Sequence, residues 1–369
     1  MIIDRISILN FKNIEATELS FSPKMNYLFG DNGMGKTNLL DALYYLSFTK
    51  NYTNLPDMQL IRHGQDFFIL QACYEEGQET EEIYCGIKRK QRKVFKRNKK
   101  EYERLSEHIG LIPLVMISPA DALMIQGGSD ERRKFVDMLI CQYDKIYLQA
   151  LIHYNKALLQ RNFLLKNALL SDTPENRSVF EIWEEQLVHY GKWIYEKRKN
   201  FILDFLPVFK KYYNIISSEH ERVDLQYESQ LDGASFASLL SEKRERDKLL
   251  GYTSAGIHKD DFNFLLDKYL IRKTGSQGQN KTYLIALKLA QFSFLVQKGS
   301  PTPILLLDDL FDKLDAGRVE QIVRLVAQPE FGQIFITDTN RKHLDETLAG
   351  MSHPYKLFQV DRGAIIEKK

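Results

Sequence analysis

The chain has 369 residues, of which 44% are hydrophobic and 27% are charged, as is typical of a soluble globular protein with one large or two to three ordinary domains. Its formal net charge of +2 excludes nucleic-acid binding through bulk charge, so such binding would need a local basic patch. The apolar runs are far shorter than the ~20 residues of a membrane helix, and the N-terminus has a strand pattern rather than that of a signal peptide. We therefore expect a cytoplasmic protein without a membrane partner.

The N-terminal segment predicts a strand, a second strand, a loop and a helix. Apolar and polar residues alternate in MIIDRISILNF, MNYLFG has a short strand pattern, and KTNLLDALYYLSF has apolar residues at helical spacing. Residues 60 to 117 contain short runs of strand-forming residues with turn signals between them, such as FFILQACYEE, EEIYCGIKRK and LIPLVMIS. This part of the chain is therefore predicted to be rich in β-structure.

From Ser129 the pattern changes to long helices. Few helix breakers interrupt the next ~40 residues, which would span ~60 Å as one unbroken helix. The loop SDTPENRS leads to a second helical stretch, Val179 to Tyr213, so we expect an antiparallel helical arm. After Gly256 follow strands, a segment rich in Gly and Gln, a helix and the sequence PILLLDD.

Residues 30 to 37, Gly-Asp-Asn-Gly-Met-Gly-Lys-Thr, complete the pattern G-x-x-x-x-G-K-[ST] between a predicted strand and a predicted helix. Glycines let such a loop curl so that backbone N–H groups and the helix N-terminus face phosphate oxygens. Lys36 would neutralise the β- and γ-phosphates of ATP, and the Thr37 hydroxyl would bind Mg²⁺. The alternative is a glycine-rich turn without a ligand. The residues expected to contact ATP are Gly30, Asp31, Asn32, Gly33, Met34, Gly35, Lys36, Thr37 and Asn38.

A run of buried-strand character, PILLL, ends in two carboxylates, Asp308 and Asp309. Mg²⁺ bound to a triphosphate needs a carboxylate from a neighbouring strand, and Asp308 directly follows the apolar run. Asp308 would bind the metal together with Thr37, while Asp309 would position or deprotonate the attacking water. Paired acids after a strand are otherwise a common polar entry to a loop. Because a phosphate loop is present, we predict a Walker B motif with Lys36, Asp308 and Asp309 as the catalytic residues.

A second glycine-containing segment, SQGQ, lies about thirty residues before the Walker B strand and opens a predicted helix that runs to Lys298. One nucleotide does not need two phosphate sites from one chain. Ser276, Gly278 and Gln279 are therefore predicted to reach the γ-phosphate of ATP held by another copy. This arrangement resembles the ABC-type ATPases, whose signature motif works across a dimer. The alternative is a Ser-capped helix after a flexible loop.

Two further segments resemble the same class. In FDKLD, Leu314 and Asp315 resemble its D-loop, and QIFITDT places Thr337 and Asp338 near its switch residue. The histidine that is usual at the switch is absent, so the γ-phosphate sensor is left unassigned.

The fold class predicted from these motifs is α/β: an ABC-type P-loop ATPase head that is split in sequence, with an inserted helical arm domain. Residues 1–117 would form the N-terminal part of the head, with Walker A and a β-rich lobe. Residues 118–250 would form the arm. Residues 251–369 would form the C-terminal part of the head, with the signature motif and Walker B.

Within that class, the sequence resembles the RecF family over nearly its whole length. The segments that carry the resemblance are ISILNFKNI, LFGDNGMGKTNLLDALYYLS, SPADALMIQGGSDERRKFVDMLI, GIHKDD, SQGQNK and LLLDDLFDKLD. The inserted helices are far shorter than the coiled coil of SMC proteins. The departures from the family pattern are Ser129 in place of a proline, Ile257 and Lys259 within a GPHRDD-like segment, and Phe311-Asp312-Lys313 in place of a short polar pair. Asp rather than Glu at position 309 is shared with the family and fits slow hydrolysis.

The resemblance implies a slow, DNA-dependent ATPase that forms a homodimer on DNA when it binds ATP. It also implies that hydrolysis resets this clamp, and that the protein acts with RecO and RecR to load RecA at single-strand gaps. Roles in recombinational repair, support of replication and induction of the SOS response follow from the same resemblance. An ABC-type ATPase that acts on a protein or transport partner without binding DNA is the alternative. A P-loop kinase is disfavoured, because the segment at Ser276 would then have no role.

The segment GIKRKQRKVFKRNKK concentrates positive charge on a predicted β-hairpin. Such a cluster neutralises several phosphates and releases counterions, which gives salt-dependent binding without sequence preference. We therefore predict that single-stranded, gapped or duplex DNA contacts this hairpin; the alternative is a solvated basic face without a partner. The residues predicted to contact DNA are Lys88, Arg89, Lys90, Arg92, Lys93, Lys96, Arg97, Lys99 and Lys100.

A few single residues are weaker candidates. Arg132 and Arg133, near the start of the long helix, could sense nucleotide or DNA, but arginine at such a position is more often a surface residue. His63 and His258 lack companions at metal-ligand spacing and are expected to be hydrogen-bonded structural residues. Lys12 resembles the position at which related ATPases touch a nucleotide phosphate.

Overall fold

The chain forms two compact units. The first comprises Met1–Asp121, Ile215–Ser218 and Gln277–Lys369, and the second comprises Ala122–Asn214 and Glu219–Ser276. The structure, a computed structural model, describes residues 1–167, 174–217, 221–309, 316–339 and 354–368. Within these ranges, no helix is both long and apolar enough to cross a membrane.

The described strands are, in chain order, β1 (Ile2–Phe11), β2 (Ile14–Ser20), β3 (Met25–Phe29), β4 (Phe67–Glu76), β5 (Glu79–Lys88), β6 (Val94–Arg97), β7 (Lys100–Glu101), β8 (Leu114–Ile117), β9 (Val223–Glu228), β10 (Asp261–Leu266), β11 (Tyr269–Leu270), β12 (Ile304–Leu307), β13 (Ile334–Asp338), β14 (Tyr355–Asp361) and β15 (Ala364–Lys368). The described α-helices are α1 (Lys36–Phe48), α2 (Ala122–Gln126), α3 (Ser129–Tyr143), α4 (Lys145–Asn167), α5 (Pro174–Ser217), α6 (Phe236–Leu250), α7 (Ile271–Thr274), α8 (Gln277–Gln297) and α9 (Ala316–Val326).

Two six-stranded sheets form the framework of the first unit. One is antiparallel, in the order β2-β1-β4-β5-β6-β7, and the other has the order β15-β14-β3-β13-β12-β8. In the second sheet every pairing from β14 to β8 is parallel. Parallel strands are usually covered on both faces, and all four residues of β12 are buried. The parallel pairing brings the carboxyl ends of β3, β13 and β12 to one edge of the sheet.

The helix α8 is part of the core of the first unit. All its residues from Thr282 to Phe292 are buried, which is typical of a helix covered on every side. One of these buried residues is a lysine, Lys288.

The second unit contains α2 to α7 and a three-stranded sheet in the order β11-β10-β9. Two of its long helices, α4 and α5, run antiparallel. The rings of Tyr147 and Trp193 are 6.0 Å apart, and Arg161 pairs with Glu184 at 2.8 Å. The later residue of α4 thus contacts the earlier residue of α5, as two antiparallel helices require.

The helical stretch that starts at Ser129 is divided into two helices, α3 and α4. The backbone of Asp144 is extended, with φ −119° and ψ 96°, and separates α3 from α4. Its Oδ1 atom accepts a hydrogen bond of 2.9 Å from the N–H of Tyr147, in the first turn of α4. A side chain that caps a new helix in this way ends the preceding one.

Residues 251–276 belong to the second unit, although the sequence pattern grouped them with the C-terminal part of the head. The reason is strand pairing, since β10 pairs antiparallel with β9 along its whole length. The chain passes to the first unit only at Gln277.

A buried arginine connects three segments of the second unit. The Arg161 guanidinium donates to Glu184 at 2.8 Å, to Asp247 at 2.8 Å and to the hydroxyl of Thr253 at 2.9 Å. Both Arg161 and Asp247 are 0% exposed. An unpaired charge at this depth would be costly, so the stability of the unit depends on the complete network.

Replacing Arg161 by alanine should leave Asp247 buried without its cation and lower the free energy of unfolding by about 3–5 kcal/mol. Urea denaturation followed by circular dichroism measures the change. Arg324→Ala is the control, because the Arg324–Glu320 pair has side chains that are 78% and 69% exposed and should contribute less than about 1 kcal/mol. Equal losses in the two variants would contradict this account of the buried network.

Candidate nucleotide site

The phosphate loop links β3 to α1 at the carboxyl edge of the parallel sheet. A Cβ atom on Gly30 would lie 2.2 Å from the backbone oxygen of Val360, so a larger residue does not fit there. Gly33 has a φ of +80°, a conformation that favours glycine, although the space around it is open. The loop therefore has the close backbone approach and the left-handed turn that its glycines predict.

Lys36 begins α1 and is only 4% exposed. Its ammonium donates to the backbone oxygen of Gly30 at 2.7 Å and to that of Asp31 at 3.1 Å. These contacts hold the positive charge at the loop, beside a helix N-terminus, which is a favourable place for an anion.

Hydrogen bonds from two threonines hold Asp308 at the end of β12. The Thr37 hydroxyl is 3.0 Å from each carboxylate oxygen of Asp308, and the Thr337 hydroxyl donates to Oδ1 at 2.9 Å. The N–H of Asp308 donates to the backbone oxygen of Ile117 at 2.8 Å, at the end of β8. The Walker A and Walker B candidates, 271 positions apart in sequence, thus meet directly.

Thr337 lies near the end of β13, close to the switch position that the sequence left unassigned. Besides donating to Asp308, its hydroxyl accepts a hydrogen bond of 2.9 Å from the N–H of Asp309. Asp309 has a φ of +43°, so the chain turns sharply after Asp308. Thr337 therefore holds the carboxylate of Asp308 and the backbone of Asp309 through one hydroxyl.

The environment raises the pKa of Asp308 above its ordinary value. Burial is the main cause, because it disfavours the charged form, and the neighbouring Asp309 carboxylate raises this pKa further. Hydrogen bonds from Thr337 and Thr37 lower it, as does the charge of Lys36, but they do not cancel the effect of burial.

Thr37 and Asp308 fit a magnesium ion that also binds phosphate. A hydroxyl and a carboxylate side by side are oxygen donors of the kind that Mg²⁺ prefers. Among the residues that the structure describes, no group of three or more His, Cys, Asp or Glu side chains could hold a metal by itself. Such an ion would therefore take its other ligands from phosphate groups and water.

Two residues that the sequence did not single out support the phosphate loop. The side chain of Asn13, between β1 and β2, donates to the backbone oxygen of Met34 at 3.0 Å and accepts from Asn38 at 2.7 Å. The N–H of Gly363, between β14 and β15, donates to the same Met34 oxygen at 2.8 Å. Contacts between loops leave no periodic pattern, so the sequence carried no signal for these two residues.

The signature segment lies where the chain passes between the units. Ser276 is the last residue of the second unit, and Gln277 begins α8 in the first. The helix ends at Gln297, one residue before the predicted Lys298, and the Thr282 hydroxyl donates to the backbone oxygen of Gly278 at 2.9 Å. Leu314 and Asp315, predicted as a D-loop, lie outside the described residues, as do Phe311, Asp312 and Lys313.

The strands β5, β6 and β7 form the predicted antiparallel hairpin. The exposed basic residues are Lys88, Arg89, Lys90, Arg92, Lys99 and Lys100. The other three have partners within the chain. Arg97 forms a two-point ion pair with Glu81, Lys93 pairs with Asp57 at 2.9 Å, and the Lys96 ammonium is 5.6 Å from the centre of the Tyr84 ring.

Two of the weaker candidates also have defined partners. The Lys12 ammonium lies 2.6 Å from the carboxylate of Asp41, in α1. The ring nitrogens of His258 lie 2.8 Å from the Tyr154 hydroxyl and 3.0 Å from the backbone oxygen of Thr253, and burial lowers the pKa of His258 to about 4. The prediction that His258 is a hydrogen-bonded structural residue is confirmed.

The expectation that Arg132 is a surface residue is wrong. Arg132 is 3% exposed, and its guanidinium contacts both carboxylate oxygens of Asp261 at 2.7 and 3.0 Å. It also donates to the backbone oxygens of Met124 and Gly127. Arg133 donates to the backbone oxygen of Asp260 at 2.6 Å. Asp261 and Asp260 are 129 and 127 positions away from Arg132 and Arg133, so local pattern could not indicate these contacts.

The fold and the site together define an ABC-type P-loop ATPase head. The defining features are a phosphate loop at the edge of a parallel sheet, a carboxylate at the end of a nearby strand, and a glycine-containing segment before a core helix. Residues 2–365 match the family model described as the RecF/RecN/SMC N terminal domain. The chain belongs to the RecF family.

Relatives match this chain over nearly its full length. It is 70% identical over 367 residues to the DNA replication and repair protein RecF of Azobacteroides pseudotrichonymphae, covering 100% of both chains. It is 61% identical over 365 residues to the protein of the same name from Parabacteroides distasonis, covering 99% of both.

Solved structures share the architecture. The recombination mediator protein RecF-ATP in the RecFOR pathway matches 100% of this chain and 98% of that chain, with a TM-score of 0.89 and 27% identity. The Smc head domain of Pyrococcus furiosus, bound to the C-terminal domain of ScpA, covers 100% of this chain and 96% of that chain, with a TM-score of 0.58 and 16% identity. The second similarity concerns the fold alone.

Asp308→Asn should stabilise the nucleotide-free protein at neutral and higher pH. Because the folded state raises the pKa of this carboxyl, the wild type loses stability as pH rises from the ordinary aspartate pKa through the raised one. The stability gain of the variant should therefore be largest above the raised pKa and should shrink as pH falls. Chemical denaturation between about pH 5 and pH 8 measures the difference. A gain that grows on acidification would contradict the raised pKa.

Proposed function

We propose that this chain is a DNA-binding ATPase in which ATP and Mg²⁺ control dimerisation and slow hydrolysis resets the protein. The observation that carries the proposal is the meeting of Thr37, Asp308 and Thr337 beside the phosphate loop, at 2.9 to 3.0 Å. The similarity to RecF-ATP structures at 27% identity supports ATP as the nucleotide.

Each residue of the site has a defined task in this proposal. The backbone of residues 30–35 and the start of α1 bind the phosphates, and Lys36 exchanges its two carbonyl contacts for phosphate oxygens. Thr37 and Asp308 bind Mg²⁺. Asp309, which is held by Thr337, orients the attacking water. The side chain of aspartate is one methylene shorter than that of glutamate, so Asp309 would hold the attacking water less firmly. Slow hydrolysis of ATP is therefore expected.

The signature segment completes the site of a second copy in this proposal. Ser276, Gly278 and Gln279 lie at the start of α8, and a helix start favours an anionic group. The phosphate loop of the same chain already has its own helix start at Lys36. Binding of ATP between two copies would therefore form a homodimer with two equivalent sites.

DNA would contact the exposed residues of the basic hairpin. Lys88 ends β5, and Lys90 and Arg92 lie on the turn between β5 and β6. Lys99 lies on the next turn, and Lys100 begins β7. Fixed cations of this density bind phosphates irrespective of base sequence. The internal partners of Lys93 and Arg97 make these two residues less available than the sequence suggested.

The family and the names of its relatives support the wider role. We propose that the protein acts in the cytoplasm on gapped, single-stranded or duplex DNA, in recombinational repair and in support of replication. Partnership with RecO and RecR, loading of RecA and induction of the SOS response belong to the same proposal. The RecFOR pathway is named for the structural relative, which supports partners of this kind.

Ser276→Ala should leave ATP binding by the monomer within about twofold of the wild type and weaken the ATP-dependent dimer about tenfold, since a hydrogen bond to a charged group is lost. Analytical ultracentrifugation with Mg²⁺ and ATP measures the dimer. Lys36→Ala should lose ATP binding itself, and Ser241→Ala, at an exposed position on α6, should change neither property. An unaltered dimer in the Ser276 variant would remove the signature segment from the nucleotide site.

Combined replacement of Lys88, Lys90 and Arg92 by alanine should weaken DNA binding and reduce the slope of log affinity against log salt by about 0.9 per lost phosphate contact. Arg97→Ala should have a smaller effect, because Arg97 already pairs with Glu81. Fluorescence anisotropy with gapped, single-stranded and duplex DNA across a salt series, with ATP and with ADP, measures both quantities. ATP binding without any DNA affinity would favour an ABC-type ATPase that acts on a protein partner.

A further inference from the structure

A buried cluster of Tyr52, Asp121 and Lys288 lies in the first unit, outside the contacts that the proposed ATPase reaction uses. The Lys288 ammonium is 3.0 Å from the Asp121 carboxylate and donates to the Tyr52 hydroxyl at 3.0 Å. The Tyr52 hydroxyl in turn donates to the same carboxylate. Lys288 and Asp121 are 6% and 5% exposed, so the three groups are paired away from water.

Each member of the cluster connects to a different part of the nucleotide site. The N–H of Tyr52 donates at 2.8 Å to the Asp41 carboxylate, on the helix α1 that begins with Lys36. Asp121 accepts from the N–H of Ser118 at 2.8 Å, directly after β8. The preceding residue, Ile117, accepts the N–H of Asp308. The cluster therefore touches the Walker A helix and the strand beside Walker B.

Lys288 extends this connection to the signature segment. It lies on α8, about 16 Å along the helix from Gln277 at ~1.5 Å per residue. The helix is continuous from Gln277 to Lys288 and buried around Lys288, so a displacement at the cluster would be carried to its first turn.

A second cluster of a tyrosine, an aspartate and a lysine offers a comparison with the Tyr52 cluster. The Tyr45 hydroxyl donates to Asp57 at 2.8 Å, and Lys93 pairs with Asp57 at 2.9 Å. These three groups join α1 to the turn before β6. Both clusters anchor α1, whereas only the Tyr52 cluster contains a residue of α8.

We infer that Tyr52, Asp121 and Lys288 are positioning residues that transmit the occupancy of a chain's own phosphate site to the signature segment that it offers to a second copy. This inference rests on the proposed two-chain function. Nucleotide contacts at Lys36 and Asp308 set the positions of α1 and of the end of β8. The cluster carries these positions to α8, which makes the signature segment competent for dimerisation.

Tyr52→Phe tests the inference, because it removes one hydroxyl and keeps the ring. Hydrogen–deuterium exchange of residues 275–285 is measured at protein concentrations that keep the chain monomeric, with and without Mg²⁺ and ATP. The wild type should show a change of exchange on ATP binding. Tyr52→Phe should lose that change while binding ATP within about twofold of the wild type, and its ATP-dependent dimer should weaken about tenfold. Tyr45→Phe is the matched control and should behave as the wild type.

The outcomes separate this inference from the proposed function. An ATP-dependent change in the wild type that persists in Tyr52→Phe would overturn the inference, and so would its loss in both tyrosine variants. Absence of the change in a wild type that binds ATP would overturn it as well. A wild type that shows the change but forms no dimer would instead remove the two-chain function. Lys288→Met combined with Asp121→Asn, which removes both charges together, should reproduce the result for Tyr52→Phe.

Discussion

The register of three parallel strands determines the nucleotide site. β13 lies between β3 and β12, and its pairings align Ile336 with Leu307 on one side and Asp338 with Phe29 on the other. A slip of one residue would turn the buried side chains of these strands to the opposite faces, so their packing fixes the register. The first polar groups after the apolar runs then meet at one edge of the sheet. The packing of the core thus determines that the hydroxyls of Thr37 and Thr337 lie beside the Asp308 carboxylate.

The same packing also accounts for the electrostatics of the site. Asp308 is buried because it follows directly on a strand covered on both faces, and this burial raises its pKa. The apo protein thus holds a destabilised charge close to its phosphate loop. A cation bound beside Asp308 would stabilise this charge. Part of the free energy of cation binding would therefore come from a buried carboxylate that otherwise lowers the stability of the fold.

Local signals in the sequence were sufficient for the fold class, and they singled out the glycine loop and the acids after β12, which the structure brings together. The glycine pattern and the apolar run in PILLLDD are short and contiguous, so no knowledge of tertiary contacts was needed to find them. Arg132 and Asn13 depend on partners that come close only in the folded chain. The helix break at Asp144 was missed because a capping aspartate resembles any exposed polar residue. Charge in the basic hairpin was overcounted, since Glu81 and Asp57, which pair with Arg97 and Lys93, come from outside the run of cations.

The position of β3 has a consequence for biosynthesis. Its two neighbours in the sheet, β13 and β14, are translated about 300 residues after it. The phosphate loop is approached by Val360, within β14, and by Gly363, between β14 and β15. The Walker A segment therefore leaves the ribosome about 300 residues before its apolar strand acquires a neighbour in the sheet. Throughout that interval the nascent chain exposes an unpaired hydrophobic edge, a species that chaperones bind. Removal of β14 and β15 would consequently impair nucleotide binding at a loop that lies about 300 residues earlier in the chain.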